Sequence, residues 1–356
     1  MIPTQHRPPL RAPRPQEGAP AARDRKAEHI RLALDPRMQP SRSFFDSYRF
    51  EHRALPEINY DEIDLACTFL GRPLQAPLLI SCMTGGTQDA ARINRNLAQA
   101  AEATGVAVGV GSQRRALEEP ATVETFRIRP QAPSVPILAN LGAVQLNYGY
   151  GLDECRRAVD MISADALVLH LNPLQEAIQP EGQRNFSGLL DKIGRVAVRL
   201  EVPVIVKEVG CGISRAVAEA LLAVGVRVVD TAGAGGTSWA RIEAARADDA
   251  ALGDLFGEWG IPTPIAIGRL RDLPGLTIIG SGGVRHGIDA AKALAAGADI
   301  VGMAYRFLQA ANDSADAAVE EVRRVIVGLR MSMFCVGART LADLRSAPLL
   351  HVGPAR

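Results

Sequence analysis

The sequence predicts an α/β protein whose eight parallel strands and their helices close into a (β/α)8 barrel, the TIM barrel architecture. Apolar runs typical of strands buried on both faces alternate with Ala-rich segments of helical spacing. Glycine or polar residues follow each of the eight runs, where a barrel carries its functional groups. An open doubly wound sheet is the alternative architecture.

The predicted strands begin at residue 77 and recur regularly along the chain. They lie at 77–82, 106–111, 136–141, 166–171, 203–208, 227–232, 276–280 and 299–303. The clearest predicted helices between them lie at 88–103, 153–162, 214–224 and 287–296. We therefore expect a barrel at 77–350 that binds a ligand at its mouth, preceded by a segment at 23–76 that caps the mouth.

Residues 1–22 are rich in Pro, Arg, Ala and Gln and have no apolar periodicity. This composition predicts a flexible N-terminal extension. The extension lacks the apolar core of a secretory signal. Mitochondrial targeting is an alternative, but the prolines oppose the amphipathic helix that it needs.

The composition excludes several classes of function. The chain has 356 residues, and 40 Lys and Arg balance 39 Asp and Glu to give a net charge of +1. We therefore expect neither nucleic acid nor a membrane surface as partner. Five cysteines without a Cys-x-x-Cys pair predict reduced thiols and a cytoplasmic protein, with no structural zinc.

The most informative stretch is His170-Leu-Asn-Pro-Leu-Gln-Glu176, which follows the apolar run 166–169. Polar groups gathered at the end of a buried strand more often bind a ligand than hold a fold together. Glu176 is a lone carboxylate, which suits magnesium (Mg2+) held mostly by water and substrate phosphates. The alternative is an acid that stabilises a helix N-terminus. His170 is a ligand anchor, a general acid or a histidine satisfied within the fold.

Two further groups indicate where anions bind. Gly280-Ser-Gly-Gly283 lies between an apolar strand and a helix, where backbone amides can approach a phosphate; a tight turn is the alternative. Lys207 ends another strand. Because side chains alternate along a strand, we expect Lys207 to face the cavity and Glu208 to point away, although an ion pair between the two is the alternative.

A second anion site is predicted from basic residues. Arg25 and Lys26 precede the barrel and could fold over its mouth, or lie on a solvated helical turn. Arg114 follows the second strand and either reaches an anion at the mouth or forms a surface ion pair. Trp239 either shields a cavity or packs in the core. The two sites suit a cofactor phosphate and a diphosphate–magnesium ligand.

Taken together, these motifs resemble the type 2 isopentenyl-diphosphate isomerases, a family of flavoprotein barrels, over residues 23–340. The resemblance rests on the following stretches: Arg25-Lys-Ala-Glu-His29, Met83-Thr-Gly-Gly86, Gly111-Ser-Gln-Arg114, Asn140-Leu-Gly-Ala143, His170 to Glu176, Pro180-Glu-Gly182, Lys207-Glu-Val-Gly210, Asp230-Thr-Ala-Gly-Ala-Gly-Gly-Thr237 and Gly280 to Gly283.

The resemblance implies the cofactors FMN, Mg2+ and NADPH, with NADPH reducing the flavin, and a homo-oligomer, tetramer or octamer. It implies that FMN is bound by Met83, Thr84, Gly85, Ser112, Asn140, Lys207, Thr237, Gly282, Gly283, Arg285 and Ala304. It implies that the substrate is bound by Arg25, Lys26, Ser112, Gln113, Arg114 and Gln175. It assigns magnesium to Glu176.

The implied reaction converts isopentenyl diphosphate into dimethylallyl diphosphate. An alkene is a very weak base, so ordinary side-chain acids match it poorly. We therefore expect reduced FMN to carry the proton, while Gln175 and His170 position the substrate or relay protons and Lys207 holds the flavin.

Three other functions are alternatives to that of an isomerase. The first is an FMN-dependent 2-hydroxy-acid oxidoreductase, and the second is a nucleotide dehydrogenase barrel with a nucleophilic cysteine. In the loops after strands six and seven we find no histidine base arranged with arginines that would clamp a carboxylate, and 231–239 contains no cysteine. The third is a non-catalytic flavin-binding scaffold.

Overall fold

A computed structural model of the chain describes residues 25–40 and 43–353, so the predicted extension at 1–22 lies outside the described residues. The strands are β1 Tyr48–Phe50, β2 Cys67–Phe69, β3 Arg72–Leu74, β4 Leu78–Ile80, β5 Ala107–Gly109, β6 Ile137–Gly142, β7 Ala166–Leu171, β8 Val204–Glu208, β9 Val228–Asp230, β10 Thr277–Ser281, β11 Ile300–Met303 and β12 Leu349–His351.

Strands β4 to β11 form one closed, fully parallel barrel. Each strand pairs with its neighbours in chain order, and β11 returns to pair with β4, for example Gly302 with Leu79. The (β/α)8 prediction is therefore confirmed, and all eight barrel strands overlap the predicted runs. Strand β9 ends before the predicted 232 because Ala232 has a positive φ of 34° and turns the chain out of the sheet.

The helices cover the outside of the barrel and extend over its mouth. They are α1 Arg25–Ala33, α2 Gln88–Thr104, α3 Arg114–Glu118, α4 Leu152–Ile162, α5 Pro173–Ile178, α6 Leu189–Arg199, α7 Arg215–Ala223, α8 Trp239–Arg246, α9 Ala250–Phe256, α10 Thr263–Leu270, α11 Gly287–Ala296, α12 Tyr305–Asp313, α13 Ala315–Val336 and α14 Leu341–Ser346. The four helices predicted from the Ala-rich segments agree with α2, α4, α7 and α11 to within one residue at each end. Within the described residues, no helix has the length and apolar character needed to cross a lipid bilayer.

Apolar side chains fill the barrel interior at the end where the strands begin. Leu79, Leu138 and Val168 belong to one buried cluster with other inward residues of the strands. Phe69 and Leu74 of the β2–β3 hairpin join the same cluster, each at most 3% exposed. The hairpin therefore closes that end, and the opposite end, where the strands finish, stays open.

A second small sheet joins the two ends of the described chain. Strand β1 pairs antiparallel with β12, and Arg49 lies opposite Leu350. One further backbone bond, from Val352 N to Ser47 O at 2.9 Å, extends the pairing. The segment before the barrel is thereby fixed to the last strand.

Candidate active site at the barrel mouth

A cavity of about 1270 Å³ opens at the carboxyl ends of the barrel strands. This volume exceeds that of most single-ligand sites, so the cavity has room for two ligands side by side. Sixteen of the predicted site residues line it: Arg25, Lys26, Met83, Thr84, Ser112, Arg114, Asn140, His170, Gln175, Glu176, Lys207, Thr237, Gly282, Gly283, Arg285 and Ala304. The loops of separate strands thus bring residues far apart in sequence to one place.

Two predicted site residues lie behind the cavity wall. Gly85 packs on Phe126, where an added Cβ would sit 1.9 Å from the ring atom Cε1. Gln113 is fully buried, and its Oε1 accepts from Asn140 N at 2.9 Å while its Nε2 donates to Ala158 O at 2.8 Å. The expectation that the Gln113 side chain contacts the substrate is not supported by this placement, because its amide is already bonded to backbone and supports Asn140.

Lys207 faces the cavity, and its carboxylate partner is Asp230. The Lys207 Nζ lies 3.0 Å from Asp230 Oδ2 and 3.4 Å from Ser281 Oγ, which itself donates to Asp230 Oδ1. Lys207 and Asp230 are register partners on β8 and β9. Asp230 was not among the site residues predicted from the sequence. Its position at the end of the strand next to that of Lys207 could have indicated it.

Glu208 points away from Lys207, so the alternative ion pair between these two neighbours is not formed. Its Oε2 accepts from the backbone N of Val209 at 2.7 Å, of Gly210 at 2.6 Å and of Cys211. Burial raises the pKa of Glu208 to about 6, despite these donors. Glu208 therefore fixes the loop that leaves β8.

His170 is held as a neutral ring. Its Nδ1 lies 2.8 Å from Asn140 Oδ1. Because an amide oxygen only accepts, this contact assigns the proton to Nδ1 and leaves Nε2 with its lone pair. Burial, aided by the positive charges of Lys26 and Lys207, lowers the pKa of His170 to about 4. Near neutral pH the imidazole can thus accept a hydrogen bond at Nε2, but it holds no proton to give from that atom.

Glu176 is almost fully buried at the cavity wall, 8% exposed. Its Oε1 accepts from Asn172 Nδ2 at 3.0 Å and its Oε2 from Gln183 N at 2.6 Å. Each carboxylate oxygen retains a further lone pair for a cation. Within residues 25–40 and 43–353, no cluster of three or more His, Cys, Asp or Glu side chains is arranged to hold a metal. A cation here would take its other ligands from water and a bound phosphate.

A buried carboxylate that the sequence analysis missed lies behind Gln175. Glu243 is fully buried on α8, and its Oε1 accepts from Gln175 Nε2 at 2.7 Å. His29 Nε2 lies 3.0 Å from the same oxygen, off the line of an ideal hydrogen bond. Burial pushes the pKa of Glu243 up, but contacts with His29, Gln175 and Arg246 outweigh it and hold that pKa below its usual value. No motif surrounds Glu243, so the sequence carried no signal for it.

The basic segment before the barrel forms α1, which borders the cavity. Lys26 Nζ donates to Ser112 O at 3.3 Å, and the ring of His29 meets that of Trp239 edge-on with centroids 5.3 Å apart. Trp239 also lines the cavity. These contacts exclude the alternative that Arg25 and Lys26 lie on a helical turn surrounded by solvent.

The glycine-rich loop after β10 is packed too tightly for side chains. Gly282 and Gly283 have φ angles of 101° and 71°, which disfavour other residues. A Cβ on Gly283 would lie 2.5 Å from Gly235 O. The loop leads into the N-terminus of α11, so its exposed amides suit a phosphate.

The chain is similar to proteins of known name over nearly its whole length. The family model of the FMN-dependent dehydrogenases matches residues 36–132. The isopentenyl-diphosphate delta-isomerase of Nostoc sp. is 52% identical over 334 residues, covering 92% of this chain and 95% of that one. The enzyme of the same name from Rickettsia felis is 51% identical over 331 residues, covering 92% and 96%.

Solved structures of lower identity share the fold. A lactate oxidase of Pediococcus acidilactici superposes with a TM-score of 0.65 at 18% identity, covering 92% of each chain. A mandelate oxidase with (S)-2-phenylpropionate superposes with a TM-score of 0.61 at 17% identity, covering 92% of this chain and 97% of that one. At these identities the likeness concerns the barrel alone.

Proposed function

Because the chain belongs to the isopentenyl-diphosphate delta-isomerase family, we propose that it converts isopentenyl diphosphate into dimethylallyl diphosphate, with FMN and substrate side by side in the barrel mouth. One structural observation gives this proposal its main support. A single cavity of about 1270 Å³ gathers the glycine-rich loop, Lys207, Glu176 and the basic residues of α1. Isopentenyl diphosphate and FMN both carry phosphate, and the cavity offers two separate groups of anion-binding residues.

The donor set of the cavity fits FMN. The amides of Gly282 and Gly283 suit its phosphate, and Lys207 suits the electron-rich edge of its ring system. We assign further contacts with FMN to Met83, Thr84, Ser112, Asn140, Thr237, Arg285 and Ala304, whereas Gly85, behind the cavity wall, would support the loop that carries Met83 and Thr84. When bound and reduced by NADPH, FMN would supply an electron-rich ring beside the alkene that can hold a proton and favour a developing positive charge.

The substrate diphosphate would lie on the other side of the cavity, near α1 and α3. Arg25, Lys26 and Arg114 bring three positive charges to this side, and Ser112 and Gln175 add polar contacts. Glu176 would hold Mg2+ jointly with the diphosphate, because one carboxylate suits a magnesium ion that keeps most of its water. The diphosphate would thereby be anchored while the alkene faces the flavin.

The chain's own residues would position the reacting group rather than act as strong acids. His170 is neutral, so its Nε2 would accept a hydrogen bond. Gln175 is fixed by Glu243 and would orient the substrate at a constant distance from the flavin. Thr84, Met83 and Trp239 line the cavity and would help to exclude water from the reacting carbons.

The subunit assembly and the compartment complete the proposal. We propose a homo-oligomer, tetramer or octamer, in the cytoplasm. Exposed apolar side chains, such as Leu255 at 73% and Trp259 at 63%, support burial between subunits. The five cysteines are all free thiols, which supports a reducing compartment. Light scattering coupled to gel filtration would measure the subunit number, and a monomer would contradict this part of the proposal.

Turnover in deuterated water tests the whole proposal. Purified protein with FMN, NADPH, magnesium and isopentenyl diphosphate should form dimethylallyl diphosphate that carries deuterium. Omitting NADPH under anaerobic conditions, or chelating magnesium, should each abolish product. Product formation by oxidised enzyme without any reductant would overturn the role of reduced FMN. Lactate or mandelate with oxygen serves as the control for the oxidase alternative and should give no hydrogen peroxide.

A further inference from the structure

Arg246, at the end of α8, bonds carboxylates from three different parts of the chain. Its Nε lies 3.2 Å from Glu28 Oε2 on α1, its Nη2 lies 2.9 Å from Glu181 Oε1 after α5, and its Nη1 lies 2.5 Å from Glu243 Oε2 on its own helix. Each guanidinium nitrogen has its own partner. Its side chain is only 11% exposed, so these contacts are screened far less than surface ion pairs.

We propose that Arg246 is a positioning residue that holds the first turns of α1 over the cavity. We call its contacts with Glu28, Glu181 and Glu243 the latch. The inference rests on the proposed function, because it concerns the residues that α1 brings to the substrate. Arg25, Lys26 and His29 of α1 line the cavity, and Glu28 lies between Lys26 and His29 in the sequence. A bond to Glu28 therefore fixes the side of the helix that meets the diphosphate.

The remaining contacts of α1 show why the first turns need a latch. The second half of the helix is held by apolar packing, since Leu32 is buried in a cluster with Met38 and Ile242. In the first half, Glu28 pairs with Arg246, Lys26 contacts a backbone carbonyl, and His29 meets Glu243 and the edge of the Trp239 ring. Loss of Arg246 should thus loosen the first turns while Leu32 keeps the helix attached.

Glu181 links the latch to Arg25. Its Oε1 lies 2.9 Å from Arg246 Nη2 and 3.7 Å from Arg25 Nη1, so one oxygen serves two cations. Arg25 has the longer contact, and its side chain is 37% exposed. Arg25 can therefore turn to a diphosphate while Arg246 keeps Glu181 in place.

Tryptophan fluorescence gives a readout of the latch that does not depend on turnover. The chain has two tryptophans, and Trp239 contacts His29 of α1 with ring centroids 5.3 Å apart. Trp259 is 63% exposed and lies outside the main cavity. Holoenzyme carrying Trp259→Phe would thus report on Trp239 alone.

In that background we would compare Arg246→Gln, Arg246→Lys and the matched control Arg241→Gln. Arg241 lies on the same helix, but its ion pair is a long one of 3.9 Å with the exposed side chain of Glu258, away from α1. Arg246→Gln should increase acrylamide quenching of Trp239 at least about twofold and raise KM for isopentenyl diphosphate about tenfold or more. FMN absorbance should stay unchanged and kcat should fall less than KM rises. Arg246→Lys should recover part of both effects, and Arg241→Gln should match the parent.

Glu28→Gln removes the same ion pair from the α1 side. This variant tests the proposal if Arg246→Gln fails to fold. It should raise both quenching and KM, and the double variant should change KM by less than the product of the single effects. Unchanged quenching and KM in folded Arg246→Gln, or in Glu28→Gln, would overturn the latch. If the parent itself converts no isopentenyl diphosphate, the proposed function fails, and quenching alone still decides whether α1 is latched.

Discussion

The side-chain amide of Gln175 donates to Glu243 Oε1 across 2.7 Å, which ties α5 at the cavity wall to α8 behind it. Glu243 is fully buried and accepts only, so it leaves Gln175 one amide orientation, with Nε2 toward α8. Gln175 Oε1 in turn accepts from Asn172 Nδ2 at 3.1 Å. The position of Gln175 is thus set by one residue of its own motif, Asn172, and by Glu243, which no motif includes.

Glu243→Gln should lower kcat/KM about 10- to 100-fold, because it replaces an acceptor of charge-assisted bonds with a group that also donates. FMN content should be unchanged, since Glu243 does not line the cavity. Steady-state kinetics and the flavin absorbance measure the two effects. Glu258→Gln, an exposed change, is the control, and an equal loss in both variants would contradict the prediction.

Lys207→Met should lower the free energy of unfolding by about 3–5 kcal/mol, because it leaves Asp230 buried without its cation. Adding Asp230→Asn should recover most of that stability but should not restore FMN affinity. Urea denaturation and FMN fluorescence titration give the two quantities. Tight FMN binding by the double variant would show that Lys207 does not contact the flavin.

Glu176→Gln should raise the magnesium concentration for half-maximal activity at least about tenfold while the protein stays yellow. The neutral amide loses the charge that would attract the cation but keeps an oxygen for Asn172. Activity measured against magnesium concentration tests this, with FMN content as the control. Loss of flavin from the variant would mean that Glu176 serves the cofactor instead.

Gly283→Ala should weaken FMN binding at least about tenfold, because a methyl group would meet Gly235 O at 2.5 Å in a backbone with φ 71°. The matched control is Gly268→Ala on α10, where an added Cβ meets nothing within 4 Å. That change should leave FMN affinity intact and stabilise the helix by about 0.5–1 kcal/mol. Equal FMN affinity in both variants would refute the phosphate assignment for this loop.

His170 should make stability fall as the pH is lowered from 6.5 toward 4. Its pKa is lowered from 6.5 to about 4 by burial and by Lys26 and Lys207, so between these values the unfolded chain binds the proton and the folded protein does not. The lost stability is at most about 3 kcal/mol, and it is fully present again above pH 6.5. Urea denaturation at several pH values measures it. His170→Gln should remove this part of the pH dependence, and identical profiles would contradict the assigned neutral ring.

The barrel could be predicted from the sequence because strands buried on both faces must be apolar throughout. The run at 166–169 and the polar stretch after it located both a strand and its functional end. Lys207 facing the cavity followed from strand alternation. Sequence alone could not find Glu243 or Arg246, because their roles depend on partners brought together by the fold. The burial of the Gln113 amide could not be predicted for a related reason: whether an amide faces the cavity or the backbone depends on the turn that carries it.

Because β1 pairs with β12, loss of the carboxy-terminal strand would also change the contacts of the segment that precedes the barrel. A protease that trimmed the residues from 349 onward would remove the partners of 48–50 and the bond to Ser47. Phe45 lies two residues before Ser47, and its carbonyl accepts from Lys292 of α11 at 2.9 Å. A carboxy-terminal nick would therefore leave residues 48–50 without a strand partner, three residues after the carbonyl that contacts α11.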